Sequence, residues 1–420
     1  MTTDLVVDAF EALVQSFAEL QITEQAPVTL PRLPPELWEI VFEFIAVSDE
    51  DQVDLHACSA VSRSWNDFAR RHIFRLVLVR FGQSARTLRD LIDTKPQIAS
   101  AVEELAICAP DPEGETPLPV SGPEVHNTVK LFLNTFPRLK TMMMMGMYDQ
   151  GQFACPELFR DLGTFTTVER FEILGCKFSV SLLHAYICSF PNIHSLSVNT
   201  LAACEEDLLK HPPSLPVPKL KRIRLRTVEA PEELLPWIAS WDTKHLLQSA
   251  NLDAYDWEEG IVEDFLKGVG DTLVDLDLKL VNTGVSGLRS DCTYVHLSYA
   301  TSIQSLTLRT ALCSSITGAL NTISSSHLKS LRFTFPAYSV EHYKRYEVLF
   351  DELVELKERI KSLKEIRFII KRPRGTTFLD EPEEQIIRRL FEKLEKKSGY
   401  TIKTVHTLEV ERWWLSMQTL

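Results

Sequence analysis

One phrase recurs along most of the chain: apolar-x-x-apolar-x-apolar. It reads Val102-Leu105-Ile107, Leu139-Met142-Met144, Val168-Phe171-Ile173, Ile193-Leu196-Val198 and Leu220-Ile223-Leu225. It continues as Leu247-Ala250-Leu252, Leu273-Leu276-Leu278, Ile303-Leu306-Leu308, Leu328-Leu331-Phe333 and Leu363-Ile366-Phe368, and Val405-Leu408-Val410 adds one more. Hydrophobic residues make up 45% of the sequence, so roughly one window in eleven matches by chance and spacing carries the signal. The central residues stand at 105, 142, 171, 196, 223, 250, 276, 306, 331 and 366, so successive phrases are 25 to 37 residues apart.

Each phrase ends in period-two alternation, which predicts a strand with one face inward. Helices are expected between the strands. Ser179 is placed to cap one bearing Leu182, Leu183, Tyr186 and Ile187, and Phe190-Pro191 stops it. Others are expected over 258–267, along Ile316, Ala319, Leu320 and Ile323, and over 341–362 and 382–397. The Pro-containing stretches 110–123 and 211–218 read as longer loops.

Strand, connector, helix and connector at a near-fixed interval build a solenoid, because no single unit buries its own apolar face. The body over 76–420 resembles the leucine-rich repeats, although their usual Asn is mostly absent. The resemblance implies an α/β fold with a parallel sheet; a plain α/β domain is the alternative architecture. In the Met142–Met145 run, Met142 and Met144 are expected in the core and Met143 and Met145 on the surface.

A compact helical cluster precedes the repeats. Pro34 and Pro35 suit a first helical turn, and Leu37, Ile40, Val41, Phe44 and Ile45 form one apolar face behind them. Asp49, Glu50 and Asp51 break the pattern and can cap a second helix bearing Leu55, Cys58 and Val61. A third starts at Ser62 and carries Trp65, Phe68, Ala69 and Ile73. Three helices in so short a span make a poor independent domain, so they pack on the body or await a partner. Residues 1–28 read as a tail, with an amphipathic helix possible through Val6, Phe10, Leu13, Phe17 and Leu20.

The spaced elements Leu33-Pro34-Pro35-Glu36-Leu37-Trp38, Ile40, Leu55, Cys58, Val61-Ser62-Arg63-Ser64-Trp65 and Arg71-His72-Ile73-Phe74 resemble the F-box family, in its fungal type. The resemblance places an F-box at 29–75. It implies docking onto a Skp-type adaptor, and through it a cullin. By matching position, the adaptor-facing residues would be Leu33, Pro34, Leu37, Ile40, Leu55, Cys58, Val61, Ser62 and Trp65. Ile40 and Trp65 are the first expected to turn inward instead. A plain three-helix cap on the body is the alternative.

Alternation also names the outward strand residues: Arg222, Arg224 and Arg226, then Asp275, Asp277 and Lys279, then Arg309, Arg332 and Arg367. Arg222, Arg224 and Arg226 suit an acidic or phosphorylated protein substrate through charge-assisted hydrogen bonds. A solvated face balanced by neighbouring acids is the other reading.

The remaining features set expectations by what they lack. A net charge of -13 opposes non-specific binding to nucleic acid or anionic membrane. There is no signal-peptide pattern, and no run approaches a bilayer-spanning length. The eight cysteines are scattered, without Cys-x-x-Cys or zinc spacing, and read as small core hydrophobes in a reducing compartment, cytoplasmic or nuclear. Gly284-Val285-Ser286-Gly287 lacks nucleophile-elbow spacing, Gly268-Val269-Gly270 opens no helix, and no phosphate loop, His-Glu-x-x-His or RING spacing occurs. The expected protein is therefore not an enzyme and uses no metal or cofactor. It is a substrate-recognition adaptor of a Skp/cullin/F-box ubiquitin ligase, or an F-box scaffold acting outside a cullin complex.

Overall fold

The fold starts from a helix that is greasy on two sides. Helix α1 (Pro35–Ser48) reads PELWEIVFEFIAVS, and its inward face is Trp38, Phe42, Ile45 and Ala46. Helices α2 (Val53–Val61) and α3 (Arg63–Ile73) complete the cluster. Ser62 caps α3, its hydroxyl accepting the Trp65 N–H at 3.2 Å. Phe42, Leu55 and Ala69 form the centre, with Cys58, Trp65, Phe68 and Ile73 packed around them. The aromatic contacts are specific: Phe42 stacks on Phe68 at 5.8 Å, meets Trp65 edge-on at 5.6 Å, and Trp65 lies 4.7 Å from Trp38.

This computed structural model describes residues 34–48, 53–109, 121–148, 155–203, 216–228, 231–255, 260–281, 295–310, 313–336, 346–371 and 402–407, with Glu392 and Lys396. The expected tail at 1–28, Leu33, most of the expected helix 382–397, and Leu408 and Val410 lie outside those residues.

After α3 the chain enters one twelve-stranded sheet, β1 to β12, whose spatial order is its chain order. The strands are β1 (Leu76–Arg80), β2 (Glu104–Cys108), β3 (Thr141–Met145), β4 (Arg170–Phe178), β5 (Ser195–Ala203) and β6 (Arg222–Val228). They continue as β7 (Ser249–Tyr255), β8 (Asp275–Val281), β9 (Ser305–Thr310), β10 (Ser330–Pro336), β11 (Glu365–Lys371) and β12 (Ile402–Thr407). Every pairing is parallel. Parallel neighbours in sequence order require a same-handed crossover each time, which is a solenoid.

Helices fill the crossovers: α4 (Gln83–Thr94), α5 (Gly122–Leu131), α6 (Pro156–Leu162), α7 (Val180–Ser189), α8 (Pro231–Ala239), α9 (Ile261–Val269), α10 (Cys313–Asn321) and α11 (Tyr346–Arg359). Ser179 caps α7 as expected, accepting the Leu182 N–H at 3.3 Å. Helix α5 starts inside the stretch read as a loop. The cause is a capping box: Glu124 Oε2 accepts the Ser121 N–H at 3.0 Å. Gly268 and Gly270 serve packing. A Cβ at Gly268 would stand 2.8 Å from Ala239 Cβ, and one at Gly270 would collide with the Tyr299 carbonyl.

All three apolar positions of the phrase point into one core. The strand pairs Leu105/Ile107, Met142/Met144, Phe171/Ile173, Leu225, Leu278 and Phe368 are buried there, and so are the leading residues such as Val102, Leu139 and Leu273. A backbone relay holds the register. The Lys140 carbonyl accepts Glu169 and Arg170 N–H, the Glu169 carbonyl accepts His194 and Ser195, and the His194 carbonyl accepts Lys221 and Arg222, and the pattern runs on to Glu365. Short polar side chains tie each turn to the one before. Asn192 donates to the Thr166 carbonyl at 2.7 Å, Thr272 to Leu247 at 2.9 Å and Ser362 to Leu328 at 2.8 Å. The architecture is an N-terminal three-helix unit followed by a leucine-rich-repeat-like α/β solenoid.

The structure departs from the sequence reading at the sheet's two ends. Strand β1 was not expected; its apolar residues Leu76 and Leu78 stand beside Val77 and Val79, so no alternation marks it. The last strand lies earlier than Val405-Leu408-Val410 implies. Ile402 pairs with Ile366, which puts Thr404 opposite Phe368 and Val405 opposite Ile369. Among the described residues, no helix is long and apolar enough to cross a membrane.

Candidate docking surfaces

Two surfaces are left over when the cores are filled. The first is on the helix trio, whose core is separate from that of the solenoid. Residues Leu37 and Ile40 on α1 are 45% and 50% exposed, and Val53 and Val61 on α2 are 62% and 64% exposed. Large aliphatic side chains left this open on one small unit mark an interaction surface. Leu37 and Ile40 lie on the outer side of α1, because Phe42 and Trp38 take the inside.

The expected adaptor-facing residues divide accordingly. Pro34, Leu37, Ile40, Val61 and Ser62 are exposed. Leu55 is 1% exposed and belongs to the trio's centre, so it offers no surface to a partner; this corrects its expected role. Cys58 and Trp65 are half-buried and pack on that centre. Of the two residues most open to turning inward, Ile40 stays exposed and Trp65 largely packs on the centre. The Ser62 hydroxyl is already engaged as a helix cap.

The second surface is the outward face of the sheet. Register aligns its rows: Met143, Glu172, Ser197, Arg224, Asn251, Asp277, Thr307, Arg332 and Arg367 occupy one of them. At the β2–β4 end the face is apolar. Met143 is only 6% exposed and clusters with Ala106, Cys108 and Leu174, so its expected exposure is corrected. At β7–β9 the face carries a closed charge network. Arg309 donates to Asp277 Oδ1 at 2.7 Å and Asn251 Oδ1 at 2.8 Å, and pairs with Asp253 Oδ1 at 3.1 Å. Lys279 holds the other Asp253 oxygen at 3.2 Å. Burial pushes the Asp277 carboxyl above the usual carboxylate range, with Arg309 opposing that shift.

Arg222, Arg224 and Arg226 stand between these regions on β6, all outward. Arg222 opens into a mixed-charge cleft with Arg170, Lys140, Glu103, Glu104 and Glu169. Arg224 lies across β5 from Glu172, whose carboxyl burial pushes up and whose neighbours Arg170 and Arg224 pull down. Neither Arg222 nor Arg224 has a salt-bridge partner within 4.0 Å among the described residues. Arg309 and Arg367 are outward arginines that neighbouring acids neutralise, Arg367 through Glu365 at 2.8 Å. Among the described residues, no group of His, Cys, Asp and Glu has a metal-holding arrangement.

Comparison with known proteins adds a match to a domain family and likenesses to solved structures. Residues 30–76 match the F-box domain, so the three-helix unit is an F-box. No curated protein matches the chain in sequence. Among solved structures, the complex of Rad7 and Elc1 in yeast contains a chain that superposes with a TM-score of 0.34 at 10% identity, over 93% of this chain and 90% of that one.

Proposed function

We propose that this chain is the substrate-recognition adaptor of a Skp/cullin/F-box ubiquitin ligase. The F-box docks on a Skp-type adaptor, which links it to a cullin, and the solenoid captures a protein substrate. The observation that carries this reading is the second apolar face of α1. Trp38 and Phe42 use one side to build the trio's centre, and Leu37 and Ile40 on the other side remain open together with Val53 and Val61. Covering that face with another protein removes from water the apolar surface that so small a unit cannot bury alone.

The chain then contributes no covalent step to ubiquitin transfer. It raises the substrate's local concentration near a donor carried elsewhere in the assembly, which is catalysis by proximity. Arg222, Arg224 and Arg226 are the residues proposed to read the substrate, through an acidic or phosphorylated segment. The working compartment is the cytoplasm or nucleus.

The test is capture of a purified Skp-type adaptor by the full chain. Leu37→Glu with Ile40→Glu should weaken binding by about 2 kcal/mol or more, roughly thirty-fold, while the trio's thermal unfolding stays unchanged. Native chain that retains no adaptor, or a double variant that retains it fully, rules the docking out. Rebuilding the complex and following ubiquitin transfer to a captured partner separates a ligase adaptor from an F-box scaffold.

A further inference from the structure

On the helical side of the solenoid three groups with matched chemistry meet. His126 on α5 places Nε2 2.8 Å from Asp161 Oδ2 on α6. Its other nitrogen, Nδ1, faces the Cys155 sulfur at 3.5 Å. Cys155 is the residue immediately before α6. His126 and Asp161 are buried, and Cys155 is half-buried.

The hydrogen positions follow from the partners. A carboxylate only accepts, so the His126 Nε2 carries the proton and donates it to Asp161. That leaves a lone pair on Nδ1, directed at the thiol. The hydrogen bond from His126 holds the Asp161 carboxyl below the usual carboxylate range, so a negative charge stands ready behind the imidazole. Thiol, base and orienting carboxylate in sequence are the arrangement that activates a sulfur nucleophile.

We propose that Cys155 is a modification site, a thiol activated by His126 and Asp161 and oxidised by small neutral hydroperoxides to the sulfenic acid. Sulfur attacks the nearer peroxide oxygen, the S–O bond forms and the O–O bond breaks. Sulfur loses two electrons and the peroxide gains them. The thiol proton passes to His126 Nδ1 and on to the departing hydroxide or alkoxide, which leaves as water or an alcohol. Asp161 offsets the imidazolium that exists between the two transfers.

The surroundings select the oxidant. Glu157 Oε2, 3.5 Å from the same sulfur, is a second acceptor for the thiol proton, and its own backbone N–H and the Cys155 thiol hold that carboxyl below its ordinary range, so it is charged. An anionic electrophile meets that charge, whereas hydrogen peroxide does not. The only other charge facing the cluster among the described residues is Arg160, 3.5 Å from Asp161 Oδ1. Burial pushes the thiols of Cys108, Cys176 and Cys188 up to about 12.

The test uses the full chain at neutral pH, hydrogen peroxide as oxidant and dimedone as the sulfenic-acid trap, with labelled peptides quantified by mass spectrometry. Cys58, also half-buried, is the internal comparison. Cys155 should be labelled at least about ten-fold faster than Cys58, and His126→Gln should remove most of that advantage. Equal labelling of the two cysteines in the native chain overturns the proposal, and this arm requires no variant to fold. A His126→Gln chain with native circular dichroism and an unchanged Cys155 rate overturns it equally.

Discussion

At the scale of single residues, the outward sheet face holds an arginine enclosed by acids and a carboxyl pushed up by burial. Arg309 is enclosed by Asp253, Asp277 and Asn251, and its side chain is 12% exposed against 7% for Asp253. Removing one partner of such a group strands the others in a poorly solvated place. Arg309→Ala should therefore cost about 3–5 kcal/mol of stability, read as a fall in the urea midpoint at pH 7. Glu172 gives the opposite case. Burial raises its carboxyl in the folded chain, so the native state holds that proton to higher pH than the unfolded state. The stabilisation this brings is present at acid pH and lost as pH rises through the folded value. At pH 7 the charge opposes folding, and Glu172→Gln should raise the urea midpoint there, with the gain shrinking as pH falls below the ordinary glutamate range. The Cys155–His126–Asp161 cluster was not legible in the chain. Twenty-nine positions separate His126 from Cys155, and nothing in either neighbourhood signals the other until α5 and α6 lie side by side.

At the scale of elements, α1 shows why apolar periodicity names a helix more securely than it names the helix's inner face. PELWEIVFEFIAVS offers two stripes, Trp38-Phe42-Ile45 and Leu37-Ile40-Phe44, and spacing alone gives no reason to choose. The aromatic stripe goes inside because its rings stack on Phe68 and Trp65, leaving the aliphatic stripe outside. The strands were easier, because apolar residues alternate with polar ones from β5 to β10, although β2 and β3 bury both of their faces. Strand β1 lacks alternation and β12 sets the polar Thr404 opposite Phe368, and these were the two misjudged. The aromatic centre also fixes a prediction. Phe42→Ala should cost the trio about 3–5 kcal/mol. It should abolish adaptor capture while hydrogen exchange in β4–β8 stays native, because the two cores are separate.

At the scale of the whole molecule, strand order equal to chain order means each repeat leans only on its neighbours. Stability in such an array is approximately a sum of local terms and nearest-neighbour terms. A defect at the centre should then spread a short way and stop. Leu225 on β6 is fully buried between Val198 of β5 and Leu252 of β7, all three on one inward row. Leu225→Ala should cost about 2–5 kcal/mol locally. Amide protection should fall across β5, β6 and β7, while β1–β2 and β10–β11 keep theirs. The F-box should still capture its adaptor, since none of its core atoms belong to the solenoid. Protection lost evenly along all strands would mean that the body behaves as one cooperative globule, and the nearest-neighbour account of this sheet would have to be given up.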